Sequence, residues 1–105
     1  MAYIMGRTMR FEWDPRKDRA NQEKHGISFE QASKLWKESA DFLELHDAEH
    51  SDDEDRFIGI GSTSVGTLVV VFTEPSEDLI RILSARSASR REREKLAAYW
   101  RGKNV

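Results

Sequence analysis

The apolar positions of this chain change period several times, and each change marks an element. Leu68 to Glu74 is a run of β-branched and aromatic residues with no polar break before Thr73, so it predicts a central, doubly covered strand. Leu79 to Arg86 is a second apolar, β-prone run, interrupted by Arg81 and closed by Arg86. Arg56 to Ile60 alternates, with Arg56, Ile58 and Ile60 on one side. Gly61 to Gly66 then reads as a hairpin connection. Phe42, Leu43 and Leu45 predict a strand within Asp41–Leu45, and Phe11-Glu12-Trp13 predicts a short one near the start. Phe29, Ala32, Leu35 and Trp36 recur at helical spacing, and Ser28 and Gln31 have capping-box spacing ahead of them. Asp14-Pro15 opens an earlier helix that closes at Gly26, because Asp caps, Pro is tolerated at the first helical position and Gly accepts a left-handed backbone. That helix has almost no apolar stripe, so it must lie exposed or use Ala20 and polar side chains against the sheet. A last helix, Ser89 to Arg101, has Ser87 or Ser89 as its cap and Leu96, Ala97, Tyr99 and Trp100 for packing. The order is β-α-α-β-β-β-β-α. It predicts an α+β fold with an antiparallel meander packed by helices.

Residues 1–10 show no periodic pattern and read as an N-terminal extension ahead of a single domain over 11–105. The chain has no cysteine, which removes disulfides and thiolate metal sites and suits a reducing compartment; with no membrane-length apolar run, the expected location is the cytoplasm. The net charge of −2 argues against a nucleic-acid partner until its distribution is considered. Nine acids and no Lys or Arg lie between Glu38 and Asp55, so the rest of the chain holds 17 basic against 10 acidic residues. A basic face can therefore coexist with an acidic lobe.

The chemistry available is limited. There is no phosphate-binding glycine loop and no cysteine nucleophile. His46 and His50 stand four apart among acids, but in a loop, where a solvated segment is the better reading than a metal site. Trp13, Trp36 and Trp100 sit in amphipathic contexts that favour packing over base stacking. What remains is a set of cations, Lys24, Arg56, Arg81 and Arg86, with one titratable base, His25. Guanidinium groups are costly on a buried strand unless paired or facing a cleft. Metal-free RNA cleavage needs a base for the 2′-hydroxyl, cations for the developing charge and an acid for the leaving oxygen. Each residue also has a structural reading: His25 as a helix-end contact, Arg56 as a partner of the acidic loop.

Two blocks carry a family resemblance. Lys24-His25-Gly26-Ile27-Ser28-Phe29-Glu30-Gln31-Ala32 and Arg81-Ile82-Leu83-Ser84-Ala85-Arg86, with Phe11 to Asp14, Lys17, Asn21, Asp47, Arg56, Gly59, Val70 to Glu74, Ala88 and Glu92-Arg93, resemble the BrnT family of toxins. The likeness spans about Phe11 to Arg93. It implies a RelE-like fold and a metal-independent endoribonuclease with no cofactor. It also implies a BrnA-type antitoxin whose ribbon-helix-helix part binds DNA, which the toxin then meets only indirectly. Such antitoxins dimerise, so two toxin chains per antitoxin dimer are expected, and no membrane partner. On this reading His25 is base or acid, with Glu74 an alternative base. Lys24 and Arg56 are phosphate ligands, and Arg81 and Arg86 stabilise the pentacoordinate phosphorus. The antitoxin is expected over the cleft and over Leu96, Tyr99 and Trp100. The alternative from another class is a non-catalytic basic module that docks a protein or nucleic acid.

Overall fold

A computed structural model describes residues 9–39 and 41–103. Strand β1 (Arg10–Glu12) leads into helices α1 (Pro15–His25), α2 (Phe29–Ala32) and α3 (Lys34–Glu38). Strands β2 (Leu43–His46), β3 (Arg56–Thr63), β4 (Gly66–Ser76) and β5 (Leu79–Ser87) follow, and α4 (Arg90–Lys103) ends the fold. The sheet order is β1-β5-β4-β3-β2. The four later strands form the expected antiparallel meander, with β4 at the centre. One pair departs from it: β1 runs parallel to β5, with Phe11 opposite Ile80 and Glu12 opposite Arg81. Most of the expected N-terminal extension, residues 1–8, lies outside the described residues. Met9 and Arg10 belong to the fold, since Met9 packs on the core and Arg10 opens β1.

The helix ends follow local chemistry. Asp14 accepts a hydrogen bond from the Arg16 amide, Pro15 is the first helical residue, and Gly26 closes α1 at φ 72°. Ser28 and Gln31 form the capping box at α2. The second helix, read as continuous in the sequence, breaks at Ser33. The Ser33 hydroxyl donates to the Glu30 carbonyl at 2.6 Å, and that bond competes with the helical ladder. At α4, Ser89 is the cap: its Oγ accepts from the Glu92 amide while the Glu92 carboxylate accepts from the Ser89 amide. The hairpin turn is shorter than the glycines indicated, because Gly61 to Thr63 stay in β3 and only Ser64 and Val65 turn. Gly61 is needed for close approach: a Cβ there would meet Leu35 Cδ1 at 2.6 Å and Phe42 Cβ at 2.7 Å.

One face of the sheet carries the main core. Phe29, Ala32 and Leu35 from the helices pack on Leu68, Val70, Phe72, Ile80, Ile82 and Ala85. Trp36 lies edge-on to Phe72 and Phe42, and Trp13 edge-on to Phe29, so both serve packing. The opposite face is covered at one end by α4, whose Leu96 is buried with Ile60, Val69 and Ala88. Tyr99 donates to the Asp41 carboxylate at 2.9 Å and Trp100 Nε1 to the Asp41 carbonyl at 2.8 Å. These α4 residues thus pack on the molecule's own sheet, Leu96 buried and Tyr99 and Trp100 half-buried. The other end of this face stays open.

Helix α1 has no apolar stripe, and its anchor is polar, as expected, but it is Asn21 rather than Ala20. Among the described residues strand β1 pairs with Leu79 to Arg81, so the edge of β5 beyond Arg81 needs another partner. Buried Asn21 supplies it. Its Nδ2 donates to the Ala85 and Ile27 carbonyls, both at 2.8 Å, and its Oδ1 accepts from the Ala85 amide at 3.1 Å. The side-chain amide thereby replaces a strand neighbour. Between β4 and β5, Val71 pairs with Ser84 but Phe72 with Ile82, leaving Leu83 as an extra residue, a β-bulge.

Candidate functional site

The open end of the sheet is floored by a cross-strand row. Arg56 of β3 stands opposite Thr73 of β4, which stands opposite Arg81 of β5. Thr73 is buried, and its hydroxyl has no hydrogen-bond partner among the described residues. Above the row lies a cleft of about 310 Å³, lined by Lys17, His50, Arg56, Arg81, Leu83 and the acidic loop residues 52–54. A contiguous hollow adds Asp47, Val71 and Ser84 to the lining. Lys17 reaches the site because α1 runs along the β5 edge and Asn21, one turn later, pins the helix there.

The cations differ in how they are held. Arg81 pairs with Glu12, its neighbour on β1, and with Glu54 of the acidic loop at 3.4 Å. Among the described residues no carboxylate pairs with Arg56, so the salt bridge weighed for it is not formed. Arg86 shares the face of Arg81 in the strand register but sits by α4, where its fork grips both oxygens of Glu92 at 2.8 and 2.7 Å. That grip, with the Ser89 amide, holds the Glu92 carboxyl down at about 2. Lys24 and His25 are exposed at the far end of α1 and do not line the cleft. Glu74 is also outside it. Alternation along β4 places Glu74 on the helix-covered face with Phe72, near Glu44, whose carboxyl is pushed up by burial and by the charge of Glu74.

The acidic segment is not a separate lobe. A 3₁₀ turn, Ala48–His50, folds it back to the rim of the arginine cleft. The Asp47 amide donates to the Arg56 carbonyl at 2.8 Å and closes the loop at its base. Ser51 Oγ donates to the Asp47 carbonyl at 2.6 Å and accepts from the Arg56 amide at 2.9 Å. His50 Nδ1 lies 2.9 Å from one oxygen of Asp47 and 3.1 Å from the other. His46 goes elsewhere: it stands opposite Phe57 on the helix-covered face, with Nε2 3.1 Å from Asp55. No group of three or more His, Cys, Asp or Glu that could hold a metal occurs among the described residues.

This fold and site can be set beside known proteins. The family profile described as "Ribonuclease toxin, BrnT, of type II toxin-antitoxin system" matches residues 13–92. The chain belongs to the BrnT family. Among solved structures, the ribonuclease toxin BrnT of Brucella abortus matches with a TM-score of 0.61 at 25% identity, over 79% of this chain and 100% of that one. A search of curated proteins found no match. As a BrnT toxin, the chain has RNA as its substrate and an antitoxin as its partner. No helix among the described residues is long and apolar enough to cross a membrane.

Of the residues expected to act, the fold brings Arg56 and Arg81 together and leaves His25, Lys24, Arg86 and Glu74 outside the cleft. It adds Lys17, Asp47 and His50. Lys17 and Asp47 were visible only as matching positions. In the sequence His50 reads as part of a solvated loop. The signal for it was spacing: Asp47 and His50 are three apart, one turn of a 3₁₀ helix.

Proposed function

We propose that this BrnT toxin cleaves RNA without a metal, by attack of a 2′-hydroxyl on the adjacent phosphorus at the open end of the sheet. The observation that carries this is the row Arg56–Thr73–Arg81, two guanidinium groups on the strands either side of β4, under a cleft that Lys17 also enters. Guanidinium forks match phosphate oxygens and stay charged, so they can take up the charge that develops as phosphorus becomes pentacoordinate. Arg56, which pairs with no carboxylate among the described residues, is the first phosphate ligand. Arg81 joins when phosphate displaces Glu54. Arg86 contributes through the β5–α4 junction rather than at the phosphate.

The neutralising partner we propose is a BrnA-type antitoxin that binds DNA through a ribbon-helix-helix part, two toxin chains per antitoxin dimer, in the cytoplasm. It covers the cleft with acidic side chains that compete for Arg56 and Arg81. The support is family membership together with the carboxylates already drawn to Arg81. Weighing the purified pair by light scattering tests the stoichiometry, and a one-to-one complex rejects it.

The decisive experiment uses purified toxin, free of antitoxin, with a labelled RNA and EDTA. The expected products end in 2′,3′-cyclic phosphate, and Arg81→Ala slows their formation by about 100-fold or more. Activity that disappears with EDTA and returns with a divalent ion rejects the metal-free step. RNA bound but never cut returns the protein to the class of binding modules.

A further inference from the structure

His50 and Asp47 form a hydrogen-bonded pair that the proposed reaction does not yet use. We infer that His50 is the group that takes the 2′-hydroxyl proton, and that Asp47 is its positioning residue. The inference rests on the proposed 2′-hydroxyl attack and names the base for it.

Three observations carry it. First, His50 lines both hollows of the cleft, facing Arg56 and Lys17 in each. Second, its Nδ1 is committed to Asp47, which fixes the ring so that Nδ1 carries the proton and Nε2 presents a lone pair. The His50 side chain is 63% exposed while Asp47 is only 17% exposed, so the ring is reachable and its anchor is sheltered. Third, the turn that bears the pair is fastened to Arg56 through the Asp47 amide and the Ser51 hydroxyl, so base and phosphate ligand move as one piece. Neither His25 at the end of α1 nor His46 on the other face has this placement.

His50 Nε2 accepts the 2′-hydroxyl proton as the 2′-oxygen bonds to phosphorus. The bond from phosphorus to the 5′-oxygen breaks, and that oxygen takes a proton from water at the open mouth of the cleft. The products are a 2′,3′-cyclic phosphate and a 5′-hydroxyl, and His50 returns its proton to solvent.

Other charges also face the ring. Lys17 from α1, Arg56 from β3 and Arg81 from β5 are cations that oppose its protonation. Asp47 on its own turn, with Asp52, Asp53 and Glu54 of the loop, favours it. Removing the Asp47 charge should therefore move the acid limb of the rate profile to lower pH while slowing the plateau.

The test is single-turnover cleavage of a labelled RNA in EDTA across pH 5–9, with end-group analysis. His50→Ala is expected to lower the rate constant about 100-fold or more with little change in RNA affinity, since a positioned proton acceptor contributes about 10²–10⁴. Imidazole added to the buffer should restore part of the lost rate, which a structural histidine would not allow. Asp47→Asn should slow the plateau about tenfold and shift the acid limb downward, and circular dichroism should show both variants folded. Wild type that leaves 3′-hydroxyl ends overturns the underlying reaction and this role with it. Cyclic ends from wild type with full-speed His50→Ala overturn the role of His50 alone. A loss confined to His25→Ala would hand the role to His25.

Discussion

Replacing Glu92 with Gln should weaken the fold in a way that depends on pH, and the geometry indicates how much. Both carboxylate oxygens of Glu92 bind the Arg86 fork, and one also accepts from the Ser89 amide. The carboxyl consequently titrates at about 2, against an ordinary 4.5. At about 1.4 kcal/mol per tenfold change, that gap would be worth roughly 3 kcal/mol if the pair were sealed from water. It is not sealed: the Arg86 side chain is 43% exposed and that of Glu92 21%. Solvent screening lowers the contribution to about 1–2 kcal/mol, which for a domain of this size moves Tm by roughly 5–10 °C. Because the folded-state value is depressed, the stabilisation is complete above the unfolded carboxyl's ordinary range and is lost as pH falls from about 4.5 towards 2. Urea unfolding of wild type and Glu92→Gln at pH 7, 4.5, 3 and 2.5 should show two curves that converge as the medium becomes acid. Arg86→Ala should resemble Glu92→Gln in stability and keep most of its RNA cleavage. A stability gap that stays constant with pH would refute the electrostatic account. Arg86→Ala that unfolds like wild type but no longer cuts RNA would place Arg86 at the phosphate.

Asn21→Ala should cost about 2–3 kcal/mol in urea unfolding, because it leaves the Ala85 amide and the Ala85 and Ile27 carbonyls without their partner in a buried site. Gly61→Ala should cost about 1–3 kcal/mol by the same assay, since its methyl group would stand 2.6 Å from Leu35 Cδ1 and 2.7 Å from Phe42 Cβ. Glu54→Gln should tighten RNA binding severalfold at low salt, measured by fluorescence anisotropy, because phosphate then meets Arg81 with one fewer competing carboxylate. Unchanged or weaker binding would show that Glu54 does not compete with the substrate.

How far the sequence could be read depended on the range of the interactions involved. Asp14, Pro15, Gly26, Ser28 and Gln31 announce helix ends because capping is settled within a few residues. Val69 to Phe72 announces the central strand because burial on both faces leaves a continuous apolar run. Arg56 and Arg81 were legible as cleft residues because charge on a buried strand demands an explanation. Asn21 was not legible as an anchor, since its partner Ala85 is 64 residues away. The folding of the acidic loop onto the cleft rim was not legible for a similar reason: its closure depends on Arg56 main-chain bonds that no charge count reveals. His25 and Lys24 stood out as a cation and an imidazole side by side, but the same helix turns its Lys17 end, not its Gly26 end, to the cleft.

The extra residue at Leu83 sets a counting rule for β5. Arg81 and Arg86 are an odd number of positions apart, and a regular strand would send them to opposite faces. The bulge resets the count, so both join the α4 side while Ile80, Ile82 and Ala85 all enter the core. The strand therefore consists of two half-strands in different frames, joined at one residue. Deleting Leu83 would remove the bulge: Ser84 would follow Ile82 directly, and Ile80, Ile82 and Ala85 would stay in the core by ordinary alternation. Any side chain that fits at 83 keeps the bulge, whereas losing the residue there straightens the strand without exchanging inside for outside. A relative's segment with one residue fewer between Ile82 and Ala85 would keep the same core and would differ in lacking the Leu83 side chain on the cleft wall.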